Sequence, residues 1–297
     1  PMLLIGIKVF EEPKNIIRFL WLFSIAMVII MVFTVIRHSG YSFGEKEGHW
    51  VMEPFFKDHT IYGAAVAINL FFLIGLYAYK KHSLLLNLFL LFLILINLVA
   101  LYFSYTRGAW LSVIFAAGVW LLIKYKIKFK YLLFIGAIIG AVVLLSWTEI
   151  EYQLAKNEHE HTTEDFGERM KSAANVTSDA SNLERLNRWD AAWHMFLERP
   201  IFGFGPATYA FEYAAHQDPQ KLTIISTNFG DGGNAHSEYL GPLAETGFIG
   251  LLTVLVFVGI LFYTGINLYI QYPPHLDGMK IIILCLVLAM STYFFHG

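Results

Sequence analysis

The sequence predicts an all-α, polytopic membrane protein: a bundle of transmembrane helices carrying one large, mainly helical loop. Three observations predict it. The composition is 57% hydrophobic and only 15% charged, with a mean hydropathy of +0.55, whereas soluble domains run about 45–50% apolar and about 25% charged. Apolar stretches near the length of about 20 residues that a spanning helix needs recur seven times. One long segment alone breaks that pattern. Such a composition excludes a cytosolic enzyme, a disordered chain and a secreted disulfide scaffold. The net charge of -2 gives no basic excess for nucleic acid. Cys285 is the single cysteine, so no intramolecular disulfide can form.

The expected spans are 19–36, 61–79, 83–104, 108–123, 131–148, 249–270 and 280–297. The fourth is short, and its aromatic flanks would reach the interface. Residues 2–10 are too few to cross and read as the tail of another helix or an interfacial segment. The start at Pro1 and the end in an apolar run read as a piece of a larger protein. Three divisions follow: 1–148 with helices one to five, 149–248 as the loop, and 249–297 with helices six and seven.

Charge sets the orientation. Lys8, Lys14 and Arg18 precede the first span, Lys80 and Lys81 separate the second and third, Lys124, Lys126, Lys128 and Lys130 separate the fourth and fifth, and Lys280 opens the seventh. If every span crosses, these ends share one side, which the positive-inside rule makes cytoplasmic. The loop 149–248 then lies outside. It carries 7 Lys and Arg against 16 Asp and Glu, a net of −9, but long loops translocate largely regardless of charge. A loop of this length is commonly functional.

Within the loop, 151–181 is polar and poor in apolar residues, as a mobile stretch would be. Order is expected to resume at Ser181, with Glu184 three residues on completing a capping box. Leu186, Trp189, Trp193, Phe196 and Leu197 follow at helical spacing as one apolar stripe. Arg199-Pro200 ends that helix, and Gly203-Phe-Gly-Pro206 turns the chain. Arg185 and Arg188 share a face near the helix start, where two guanidiniums would suit a diphosphate. The plainer reading is a solvated charged face paired with Glu184 or Asp190.

A second element follows the glycines of Phe229-Gly-Asp-Gly-Gly233, which lack the Lys-Ser/Thr ending of a P-loop. It is a short helix capped by Asn234 or His236, ended by Gly247 and followed directly by span six. A helix N-terminus favours the neutral, proton-accepting form of His236; the alternative is a structural histidine. Arg107, in Ser104-Tyr-Thr-Arg-Gly108, opens span four on the outer side. It either holds a lipid phosphate or snorkels beside Trp110. His59 either caps the helix of span two or lines a site. His159 and His161 alternate rather than standing at the i, i+4 spacing of a metalloprotease pair, so no metal site is assigned. Ionisable residues are nearly absent from the spans, which argues against a proton pump or ion-coupled transporter.

Three motifs, in this order, resemble the O-antigen ligase family with its polysaccharide polymerase and protein O-oligosaccharyltransferase relatives. They are Ser104-Tyr-Thr-Arg-Gly108; Arg185-Leu-Asn-Arg-Trp189 with Arg199-Pro-Ile-Phe-Gly-Phe-Gly-Pro206; and Asn234-Ala-His-Ser-Glu-Tyr-Leu240 with Ala244-Glu-Thr-Gly247. The resemblance implies a GT-C glycosyltransferase-like helical membrane fold in the bacterial inner membrane, with the loop periplasmic. It implies transfer of a glycan from an undecaprenyl-diphosphate donor to an acceptor hydroxyl, with no cofactor or metal and with inversion. O-antigen ligase acting on lipid A-core is the first expectation; polymerase, protein glycosyltransferase and non-catalytic lipid-linked glycan transporter are the alternatives. By position it makes Arg107, Arg185 and His236 catalytic. Arg188, His59 and Asn234 are expected to bind substrate.

Overall fold

The computed structural model describes residues 2–127, 180–219, 222, 226, 233–273 and 277–296, with single positions between 130 and 146. The described residues form helices and turns, with no strand among them. In chain order the α-helices are α1 (Met2–Phe10), α2 (Pro13–Ser39), α3 (Glu45–Gly48), α4 (His59–Ala78), α5 (Leu84–Tyr102), α6 (Arg107–Lys124), α7 (Ala180–Glu198), α8 (Tyr209–Glu212), α9 (Leu240–Gln271) and α10 (Asp277–His296). A 3-10 turn, Tyr213–His216, follows α8. Six of these helices (α2, α4, α5, α6, α9 and α10) are long and apolar enough to cross a membrane, matching six expected spans. The fifth expected span, 131–148, and the polar stretch 151–179 with His159 and His161 lie largely or wholly outside the described residues.

The chain divides into two compact units. The first comprises residues 1–125 and 262–296. Its core is built from Leu20 of α2, Phe71, Leu73 and Leu76 of α4, Leu90 and Leu93 of α5, and Ile282 and Leu288 of α10. Small residues let the helices close up: a Cβ at Gly75 would stand 3.2 Å from Cys285 Cβ. Lipid supplies no hydrophobic drive between helices, so small contacts and buried polar pairs hold them. Asn69 donates to Asn97 at 2.8 Å, and Asn97 donates to the Val66 carbonyl at 3.0 Å. Gly278 at the start of α10 lies against Tyr79, beside Lys80 and Lys81, while His296 at its end lies against Gly108. The Lys280 end of α10 thus lies by the turn that carries Lys80 and Lys81, and its other end by the 103–108 turn.

The second unit comprises residues 126–261. Its described core is Ala191, Ala192 and Met195 of α7, Tyr209, Tyr213, Ala235 and Ala244. One expectation about α7 needs correction. The helix already includes Ala180, so Ser181 sits inside the first turn and is no N-cap. The expected apolar stripe at 186–197 is present, on a face that is not the one buried in protein. The buried face carries Glu184, Asn187, Arg188, Ala191, Ala192 and Met195, because small residues allow close packing and the charged pair satisfies itself.

Candidate functional site

At the start of α4 in the first unit, Asp58 is the cap. Its Oδ1 accepts from the backbone N–H of Thr60 at 2.8 Å and of Ile61 at 3.0 Å. Burial alone would raise the Asp58 carboxyl, but hydrogen bonds from Thr60 and Ile61 outweigh it and hold it below the ordinary carboxylate value. His59 is therefore the first helical residue and not the cap, which corrects one of its two expected roles. Its ring stacks on His49, centroids 4.2 Å apart. Its carbonyl accepts from Thr106 Oγ1 at 2.8 Å. Gly63 makes this approach possible, since a Cβ there would stand 2.7 Å from Thr106 Cβ.

Arg107 follows as the half-buried first residue of α6. Trp110, expected beside it at the interface, turns inward: it is buried, and its Nε1 donates to the Leu101 carbonyl at 2.7 Å. Gly108 leaves room for His296, whose Nδ1 would stand 2.8 Å from a Cβ there. This end of the unit thus assembles Arg107, His59, His49 and His296 around the start of α6. His49 and His296 carried no recognisable signal in the sequence.

In the second unit, Arg188 is 7% exposed. Its Nε donates to Glu184 Oε1 at 2.9 Å, and its Nη1 to the Asn234 carbonyl at 3.2 Å. The guanidinium lies over the Tyr213 ring, 5.3 Å from its centroid. Ser226 Oγ donates to the other Glu184 oxygen. Tyr209 donates to the Arg188 carbonyl at 2.7 Å, and burial pushes its hydroxyl well above the ordinary phenol value. The pairing of Arg188 with Glu184 is the one the plainer reading expected, but it is buried in a polar network and not solvated. Arg185, one turn back, is half-buried.

The network reaches the expected base. Asn234 Oδ1 accepts from the His236 N–H at 3.1 Å. His236 is exposed and adopts a left-handed conformation, φ 47°, which is uncommon away from glycine and costs backbone strain. The cap of the following helix is Ser237, whose Oγ accepts from Tyr239 and Leu240 N–H, both at 3.2 Å. Neither Asn234 nor His236 is that cap. Asn234 instead shapes the turn, leaving the His236 side chain outside the helix it precedes.

The glycine motifs interlock. Gly247, φ 67°, breaks α9 where the sequence placed the end of the short helix. Its missing side chain leaves space for the Ile201 and Phe202 backbone, and Gly203, φ 64°, does the same for Ala244 and Glu245. Glu245 accepts from the Ala207 and Tyr209 N–H groups, and Phe248 N–H donates to the Pro200 carbonyl at 2.8 Å. These residues of the second and third motifs are scaffold. Among the described residues no group of three or more His, Cys, Asp or Glu is placed to hold a metal ion.

The family model described as O-antigen ligase matches residues 89–255. The chain belongs to the O-antigen ligase family. The match takes in most of α5, α6, α7, α8 and the first half of α9, and so includes Arg107, Arg185, Arg188, Asn234 and His236; His59 precedes it. Family membership makes the protein a multi-pass bacterial membrane protein of glycosyltransferase type, handling a lipid-linked glycan donor and a glycan acceptor. No curated protein matches the chain.

Proposed function

We propose that the protein is an O-antigen ligase, joining a glycan from an undecaprenyl-diphosphate carrier to a lipid A-core hydroxyl. In this reading residues 1–148 and 249–297 span the inner membrane and 149–248 form the periplasmic catalytic loop. Arg107 and Arg185 meet the donor diphosphate, with bidentate contacts that a planar guanidinium makes and an ammonium does not. His236 accepts the proton of the acceptor hydroxyl. The freed oxygen attacks the anomeric carbon from the side opposite the diphosphate, inverting it. The bond between that carbon and the diphosphate oxygen breaks, and undecaprenyl diphosphate leaves, its charge neutralised by the arginines. No metal takes part.

The single observation that carries the reading is the presentation of His236, exposed on a strained turn that a buried arginine fastens from behind. Such strain persists where surrounding structure over-determines it, and it gathers at functional sites. Arg188 is then a positioning residue, its guanidinium committed to Glu184 and Asn234, and Asn234 acts by shaping the turn. The test is His236→Ala, assayed for glycan transfer in membranes. Transfer should vanish with protein level and insertion unchanged; normal transfer removes the base assignment. Gel analysis of cells lacking the gene separates the acceptors. Carrier-linked chains of normal length with bare lipid A-core indicate ligase, and single-repeat lipopolysaccharide indicates polymerase.

A further inference from the structure

The outward face of α7 is apolar and exposed. Trp189 is 38% exposed, Trp193 48% and Leu197 57%, with Leu186 and Phe196 partly covered beside them. At about 100° per residue these five centre on the side opposite the buried face of Glu184, Arg188, Ala191 and Met195. The Trp193 and Phe196 rings touch, centroids 5.2 Å apart, so the surface is continuous. Ile201 and Phe202 prolong it past the helix end, both exposed. A contiguous apolar face of this kind marks a contact with protein or membrane.

What covers it follows from where it ends. Ile201 and Phe202 lie with their backbone against Gly247, and the Pro200 carbonyl accepts from Phe248 N–H. Phe248 and Ile249 begin the membrane-crossing part of α9, and both are exposed. The stripe is thus fastened to the point where a span enters the apolar layer. Tryptophan is enriched at that depth, its ring apolar and its N–H able to reach water or headgroups. Along the edge of the stripe run Asp190, His194 and Glu198, groups suited to the aqueous side. We infer that α7 lies on the bilayer surface, with Leu186, Trp189, Trp193, Phe196, Leu197, Ile201 and Phe202 seated among the lipid headgroups and upper acyl chains. This seating holds the opposite face, with Arg188 and the turn it fastens, at a set height above the lipid. The inference stands on packing and exposure and is independent of the catalytic reading.

Site-directed spin labelling of the full chain tests it. In a Cys285→Ala background, Trp193→Cys and Leu197→Cys report the stripe, and His194→Cys and Glu198→Cys its edge. The labelled protein is reconstituted in vesicles of phosphatidylethanolamine and phosphatidylglycerol. Stripe labels should collide several-fold more with oxygen than with a water-soluble nickel chelate, and edge labels the reverse. Equal nickel access at 193, 194, 197 and 198 overturns the inference, because the face is then in water. Stripe labels closed to both reagents also overturn it, because protein then covers the face. A second measurement avoids cysteine variants. Shallow-brominated lipid should quench the native tryptophan fluorescence more in the unmodified chain than in the Trp189→Phe, Trp193→Phe double variant; equal quenching overturns the inference.

Discussion

Arg188 and Glu184, one helical turn apart, form a buried ion pair at 2.9 Å, and the same guanidinium reaches across to the carbonyl of Asn234. The pair links the helix bearing Arg185 to the turn bearing His236. Breaking a buried pair from one side costs about 3–5 kcal/mol, because it strands the other charge. Arg188→Met should therefore lower the melting temperature strongly, while the double Glu184→Gln, Arg188→Gln variant loses much less. Equal melting of the two in detergent would show that the pair is solvated.

Arg188→Lys separates positioning from donor binding. If the guanidinium acts through the turn, kcat falls, on the order of 10²-fold for a misplacement of about 1 Å, and the donor KM stays near wild type. A raised donor KM with normal kcat would return Arg188 to the diphosphate. Arg185→Lys is expected to behave differently, impairing donor use directly; full activity would remove Arg185 from the clamp.

Tyr209 makes a pH prediction. Its hydroxyl is buried, donates to the Arg188 carbonyl and titrates above the ordinary phenol value. A group raised in the folded state contributes stability that is full below its unfolded value, about pH 10, and is lost as pH climbs toward the folded one. The wild type should lose stability above about pH 10, and Tyr209→Phe should flatten that loss at a cost of about 1 kcal/mol at neutral pH. Denaturation midpoints from pH 8 to 11, taken as about the range around the phenol value, check both.

Gly247→Ala and Gly203→Ala should each destabilise the loop without touching its polar network. Both positions have positive φ, and both press on backbone atoms across the interlock. Strain of about 1–3 kcal/mol is expected, read as faster proteolysis of the 199–248 region. Unchanged digestion would show that the interlock is loose.

Asp58→Ala should cost about 1 kcal/mol through loss of the cap, whereas His59→Ala should leave the helix start intact. Because its carboxyl is held low, the capping contribution of Asp58 is present above the unfolded value and fades as pH falls through the folded one. Melting curves of the two variants between about pH 3 and 7, a span bracketing the ordinary carboxylate value, distinguish them.

Six of the expected spans and the break at Gly247 were legible because apolar length and glycine are strong local signals. Arg107 at a helix start was legible for the same reason. The caps were not. Asp58 stands next to His59, and Ser237 follows Asn234 and His236 within three residues. Each could accept from a helix N-terminus, and backbone dihedrals decide which does. The orientation of α7 was hidden too. Periodicity reports that five apolar residues share a face, and says nothing about which face meets protein when lipid is the other neighbour. The Glu184–Arg188 spacing did carry a signal, but its burial depends on Tyr209 and Tyr213, which the sequence gives no reason to bring there.

The hydrogen bond from Phe248 N–H to the Pro200 carbonyl joins the two ends of everything between them. The chain therefore leaves and returns at one point. A substitution that pulls Pro200 away from Phe248 would displace both ends of the stretch together.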